Sequence, residues 1–143
     1  MASSVKPTAL FWIIAVAALL WNIMGVGSYL GSHAITAEEL IAAYGKDGAG
    51  AMLGKPAWAT GAFAISVFAG LLGSLALILR KSWARILFVL SFIGVVIHNV
   101  WNVMINAFQY VGTADKVLTA VVLVVCIFLI WFAHSNTNKG VLS

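Results

Sequence analysis

The chain has 143 residues, of which 63% are hydrophobic and 8% are charged, with a formal net charge of +4. This composition excludes an ordinary soluble domain, because the apolar residues run in long stretches that are nearly free of charge, as membrane spans do. The positive charges sit near the ends of these stretches and in the links and tails around them. They therefore indicate topology and not a nucleic-acid partner.

Four apolar stretches are long enough to cross a bilayer. We predict spans at about residues 9–31, 56–79, 83–110 and 116–133. The longest link covers residues 32–55, so we expect no separate soluble domain and treat residues 1–143 as one membrane domain. Short links join spans two and three and spans three and four. The predicted fold is an all-α transmembrane four-helix bundle.

The long link contains a signal for an additional helix. Thr36 and Glu39 have the spacing of a capping box, and apolar residues follow as far as Gly45. We predict a short amphipathic helix between spans one and two on the extracytoplasmic membrane surface, acting as a lid or as a plain connector. We expect residues 45–54 to be flexible.

Span two carries small residues at four-residue spacing, namely Ala62, Ser66, Gly70 and Ser74. A ridge of this kind lets a neighbouring helix approach closely. Tight packing explains it without a binding function.

The charged residues divide between the two ends of the predicted bundle. One end carries only basic residues: Lys6, Arg80, Lys81, Arg85 and Lys139. The other end carries Lys46, Lys55 and Lys116 with all four acidic residues, Glu38, Glu39, Asp47 and Asp115. The positive-inside rule then predicts a multi-pass protein with both termini in the cytoplasm.

Span three carries a polar stripe that a lipid-facing helix should not have. At ~100° per residue one arc of the helix collects Ser91, His98, Asn99, Asn102, Asn106 and Gln109. Unpaired polar groups are costly in hydrocarbon, so this arc should face other helices or a hydrated cavity. We expect span one to complete a ligand site with Trp21, Asn22 and Tyr29, and Trp101 to flank it.

Amide groups beside flat aromatic walls suit a small neutral polar ligand. The alternative is structural, with Asn and His side chains hydrogen-bonding between helices and fixing their register. His98 could shuttle protons or remain a neutral hydrogen-bonding ring. The lone Cys126 is interpreted as a packing residue.

Several function classes lack their chemical groups. The span interiors contain no Asp, Glu, Lys or Arg, which argues against a carboxylate-coupled cation antiporter. The three histidines are too far apart along the spans to hold one haem, and no nucleophilic triad or phosphate loop is present. We therefore expect no enzyme activity, no metal and no cofactor.

Several segments resemble a known family, namely residues 20–26, 56–58, 62–64, 67–70, 79–84 and 87–95. They are similar to small four-span proteins of the bacterial inner membrane, some of which are labelled "sugar transporter". The resemblance covers most of the first three spans and implies the fold and a bacterial inner-membrane location. The Asn-rich run after His98 departs from the family pattern, so no ligand residues are carried over.

These observations lead to one functional hypothesis and one alternative. The first is a protein that binds, and by extension transports, a small neutral polar solute near the membrane midplane. A homo-oligomer would fit this role, since four spans are few for a transport path. The alternative is a non-catalytic accessory or assembly subunit that docks on a larger membrane-protein partner through its small-residue ridge and Trp-rich surface.

Overall fold

The computed structural model describes residues 5–143 and is helical throughout this range apart from short links. Its helices are α1 (Ala9–Ala34), α2 (Ala37–Leu53), α3 (Ala57–Ile78), α4 (Ala84–Met104) and α5 (Thr113–Asn138), with one 3-10 turn at Ala107–Gln109. By length and composition α1, α3, α4 and α5 can each cross a membrane. The all-α class is thus confirmed, and the four helices long and apolar enough to cross a membrane indicate an integral membrane protein.

The four long helices form an arc and not a symmetric bundle. Helix α3 packs on α1 on one side and on α4 on the other, and α5 packs on the free side of α4. Helices α1 and α5 are therefore the two ends of the arc. They meet where the Phe11 and Phe132 rings stack with their centroids 5.6 Å apart.

The small residues of α3 let both neighbours approach closely, as predicted. Gly70 makes room for the amide of Asn22 on α1, because a Cβ at Gly70 would overlap that amide oxygen. On the other side, a Cβ at Gly94 of α4 would lie 2.7 Å from the carbonyl oxygen of Ala62. The ridge is thus covered inside the protein, which removes it as a docking surface for a partner.

One end of the arc, which we call the base, is closed by residues 5–8, 79–83 and 139–143. Arg80 joins all three segments: its Nη2 donates to the carbonyl oxygen of Val5 (2.6 Å) and its Nε to that of Val141 (3.2 Å). The backbone of Ser143 pairs with Arg80 and Ser82. Residues 5–8, the α3–α4 turn and the C-terminal tail therefore lie at the same end, in agreement with the predicted charge distribution.

The main apolar core lies next to the base. Its largest buried side chains come from α1, α3, α4, α5 and the C-terminal tail, and include Phe11, Leu77, Phe88, Phe132 and Leu142. Within a bilayer such side chains stabilise the fold through van der Waals packing and not through removal from water. The core thus holds the arc together at one end and leaves the far end less tightly packed.

Helix α2 begins as predicted but extends further. The Thr36 hydroxyl accepts from the Glu39 amide (3.2 Å) and the Glu39 carboxylate accepts from the Thr36 amide (2.8 Å), which confirms the capping box. Gly45 has a φ of 76° and kinks the helix, and a second helical segment follows where we expected a flexible stretch. Gly48 in that segment packs against the ring of Tyr110.

Helix α4 ends at Met104, before the predicted Tyr110. Asn106 has left-handed backbone angles (φ 52°, ψ 39°), a conformation that Asn tolerates better than most residues and that stops an α-helix. The residues beyond it form the 3-10 turn. The predicted polar arc therefore loses its regular helical geometry after Asn102.

Candidate ligand cavity

A cavity of about 380 Å³ lies between the four long helices on the far side of the core. This volume is within the usual range for small-molecule sites. Helices α1 and α5 line it from opposite sides, and α3 and α4 form its back wall. The lining residues are Trp21, Asn22, Met24, Gly25, Ser28, Phe63, Ser66, Val67, Ser91, Val95, His98, Asn99, Asn102, Leu118, Thr119, Val122 and Cys126.

Part of the predicted ligand set comes together around this cavity. It contains Trp21, Asn22, His98, Asn99 and Asn102. Although α1 and α4 were expected to face each other directly, each of them packs on α3. The cavity brings their polar residues together across the space between them.

The other four predicted residues lie elsewhere. Tyr29 packs edge-to-face on Phe63, with ring centroids 5.4 Å apart. Trp101 is buried below the ammonium group of Lys55. Asn106 and Gln109 are exposed beyond the end of α4, because the left-handed turn at Asn106 takes them off the helical arc.

Some polar groups of the cavity wall join helices. Nδ2 of Asn22 donates to the carbonyl oxygen of Ala18 and to the hydroxyl of Ser74, both at 2.8 Å. The Ser91 hydroxyl donates to the carbonyl oxygen of Ser66 (2.6 Å), which links α4 to α3. Asn22 on α1 and Ser91 on α4 thus form hydrogen bonds between helices, as the structural alternative describes.

His98 and Asn102 behave differently. Within residues 5–143, Nε2 of His98 is buried without a hydrogen-bond partner, and the Asn102 amide makes no hydrogen bond to the described chain. The His98 ring stacks on Phe63, with centroids 4.8 Å apart and planes 24° apart. Asn99 donates through Nδ2 to the carbonyl oxygen of Val95 on its own helix (2.9 Å). His98 and Asn102 thus place polar groups without a partner in the described chain on the α4 side of the cavity.

Sequence reasoning missed the aromatic and cationic cap above His98. Nζ of Lys55 lies 5.2 Å from the ring centroid of Phe63 and 5.3 Å from that of Trp101. Burial lowers the pKa of Lys55 below its ordinary value. The available signal was a lysine directly before Pro56, at the start of a span and with no adjacent acidic residue.

The cavity lining also includes residues to which the sequence assigned no binding role. Ser28 and Thr119 add hydroxyl groups, and Cys126, which was interpreted as a packing residue, lies on the α5 wall. The Thr119 hydroxyl donates to the carbonyl oxygen of Asp115, one turn earlier (3.0 Å). Each is an isolated small side chain in an otherwise apolar span, so composition alone could not single it out.

The site can bind through hydrogen bonds and ring stacking. Within the described part of the chain, no group of three or more His, Cys, Asp or Glu side chains is placed to hold a metal ion. The lining offers amides, hydroxyls and an imidazole, with Trp21 as a flat wall. Such groups recognise uncharged polar molecules by geometry and not by charge.

The chain matches no family model, no curated protein and no solved structure.

Proposed function

We propose that the protein binds a small neutral polar solute in the cavity and carries it across the membrane. The observation that supports this most is that His98 and Asn102 both belong to the cavity lining and that, within residues 5–143, Nε2 of His98 and the amide of Asn102 have no hydrogen-bond partner. Buried polar groups cost free energy unless they are hydrogen-bonded, so a cavity that presents them favours a ligand that can supply the bonds.

The lining favours a neutral ligand over an ion. It contains no Asp, Glu, Lys or Arg side chain among the residues described, and an unpaired ion would be costly at this depth. An Asn amide supplies both a donor and an acceptor, which matches a hydroxyl or an amide on the ligand. Trp21 would cover the apolar side of such a molecule.

A solute can cross the membrane only if the closed base of the arc opens. The base is closed by Arg80 and by the Phe11–Phe132 ring pair. We propose that the base faces the cytoplasm, following the positive-inside rule, and that solute passes when α1 and α5 separate there. A homo-oligomer would support such a movement, since four spans offer few elements that can move apart.

The test is equilibrium dialysis of the detergent-solubilised protein against radiolabelled glycerol, glucose and urea, which represent a polyol, a sugar and an amide. Asn102→Leu removes the free amide without breaking a hydrogen bond within the described chain, so the fold should survive. Asn106→Gly is the matched control, because it removes an amide outside the cavity and keeps a residue that tolerates positive φ.

We expect at least one probe to bind the wild type and Asn106→Gly equally, and to bind Asn102→Leu about tenfold more weakly, which corresponds to the loss of one buried hydrogen bond. Uptake of that probe into proteoliposomes should fall in parallel. Equal binding by all three proteins, or by none, would contradict a solute site at Asn102.

A further inference from the structure

The cavity has an opening between α1 and α5. Met24 on α1 and Leu118 on α5 both line it, yet they are 68% and 53% exposed. Side chains that contact both the cavity and the surroundings mark a place where its wall is incomplete. This follows from the arc, because α1 and α5 are its two ends and their ring contact is at Phe11 and Phe132.

The opening extends from the depth of the lipid chains toward the membrane surface. Met24 is about 20 Å along α1 from Phe11, and Leu118 is about 20 Å along α5 from Phe132. Phe11 lies two residues inside the start of α1, and a hydrocarbon core is about 30 Å thick. The gap therefore faces hydrocarbon at Met24 and extends toward the membrane surface at Leu118, which lies in the second turn of α5, two residues after Lys116.

The lining of the cavity becomes less polar toward this gap. His98, Asn99 and Asn102 stand on the back wall, on α4, whereas the gap is bordered by the apolar side chains of Met24 and Leu118, with only the hydroxyls of Ser28 and Thr119 near them. A molecule lying across the cavity would meet hydrogen-bonding groups at one end and lipid at the other.

We propose that the natural ligand is a neutral membrane amphiphile that enters sideways through the α1–α5 gap. Its hydroxyl- or amide-bearing head group binds His98 and Asn102, and its apolar chain leaves the cavity between Met24 and Leu118. This inference rests on the proposed function, since it names the ligand class of the same cavity. It also explains why the opening faces the bilayer.

The experiment uses a monoacylglycerol with a diazirine in its acyl chain, added to the full-length protein in phosphatidylcholine vesicles. After photolysis, peptide mass spectrometry locates the labelled residues. We expect label concentrated near Met24 and Leu118 and displaced by excess monooleoylglycerol. We expect labelling to fall about tenfold in Asn102→Leu, as the loss of a hydrogen bond to the head group requires.

Two further variants test the gap itself. Leu118→Trp places a larger ring in the opening and should reduce displaceable labelling by a similar factor. Val124→Trp is its control, since Val124 is 65% exposed on the same helix and lies outside the cavity lining. Circular dichroism checks that both variants remain helical. A change in labelling between two helical variants then reflects a change at the gap.

The outcomes separate the two proposals. Label spread evenly over all four spans and not displaced by monooleoylglycerol would overturn the amphiphile inference, as would equal labelling of Leu118→Trp and Val124→Trp. If glycerol, glucose or urea still binds in an Asn102-dependent manner, the proposed function stands without the amphiphile. Loss of both kinds of binding overturns both.

Discussion

Replacing Gly94 by Ala should force α3 and α4 apart. A Cβ at this position would lie 2.7 Å from the carbonyl oxygen of Ala62 and 2.9 Å from the backbone nitrogen of Ser66. Ordinary contacts of a Cβ begin near 3.4 Å. Because both neighbours are backbone atoms of a helix, no side-chain rotation can relieve the overlap, and the helices must separate by about 0.7 Å at this level.

The magnitude combines three effects. Overpacking costs about 1–3 kcal/mol, and the upper part of this range applies where backbone must move. Separation also stretches the 2.6 Å hydrogen bond from Ser91 to the Ser66 carbonyl, and such a bond in a membrane protein contributes about 0.6 kcal/mol. The helix preference of Ala over Gly returns about 1 kcal/mol. We expect Gly94→Ala to lower the free energy of unfolding by about 2 kcal/mol.

The assay is unfolding in mixed micelles titrated with sodium dodecyl sulfate and followed by circular dichroism. Gly61→Ala is the matched control on α3, since a Cβ there meets nothing within 4 Å, and it should leave stability unchanged or raise it by up to about 1 kcal/mol. Equal stability of Gly94→Ala and Gly61→Ala would refute the close α3–α4 contact.

Three further predictions concern other contacts. A double-mutant cycle of Asn22→Ala and Ser74→Ala should give a coupling energy of about 0.6 kcal/mol in the same unfolding assay, and zero coupling would mean that their 2.8 Å hydrogen bond is absent. Arg80→Ala should destabilise the protein by about 1 kcal/mol more than Arg80→Gly. Both variants lose the hydrogen bonds of the base, but Ala is also strained at a φ of 58°. The reverse order of stability in thermal melts would contradict this. Burial lowers the pKa of Lys55 below its ordinary 10.5, so between the folded and unfolded pKa values the unfolded chain binds more protons than the folded one, and stability should rise with pH in that interval. Thermal melts from about pH 8 to pH 10.5 should show this rise in the wild type and not in Lys55→Met. Parallel curves for the two proteins would refute the prediction.

The span positions were predictable because hydrophobic length and the absence of charge decide which segments can cross a bilayer. The capping box at Thr36 and Glu39 was predictable for a local reason, since both of its bonds close within four residues. The small-residue ridge of α3 also predicted close packing. These features depend on short stretches of chain, which a sequence displays directly.

Which helices pack against each other was not predictable in the same way. Periodicity showed which face of span three is polar, but it could not show that α1 packs on α3 or that α1 and α5 separate beyond Phe11 and Phe132. The gap and the cavity result from that arrangement.

The roles of individual polar residues depend on their neighbours across the helix interface. Asn22 bonds to Ser74 because Gly70 leaves space for its amide, whereas Asn102 has no such partner in residues 5–143. Asn106 leaves the arc through a left-handed turn that helical spacing cannot reveal. Sequence spacing therefore identified the candidate set, and three-dimensional contacts divided it into structural and unpartnered members.

The central claim is that the cavity beside His98 and Asn102 holds a ligand. Native mass spectrometry of the protein released gently from its own membrane tests this most directly, with wild type, Asn102→Leu and Asn106→Gly compared. The account predicts a small reproducible added mass on the wild type and on Asn106→Gly that is lost from Asn102→Leu. An added mass that persists on Asn102→Leu, or a wild type that carries only a larger protein partner and no small molecule, would contradict it.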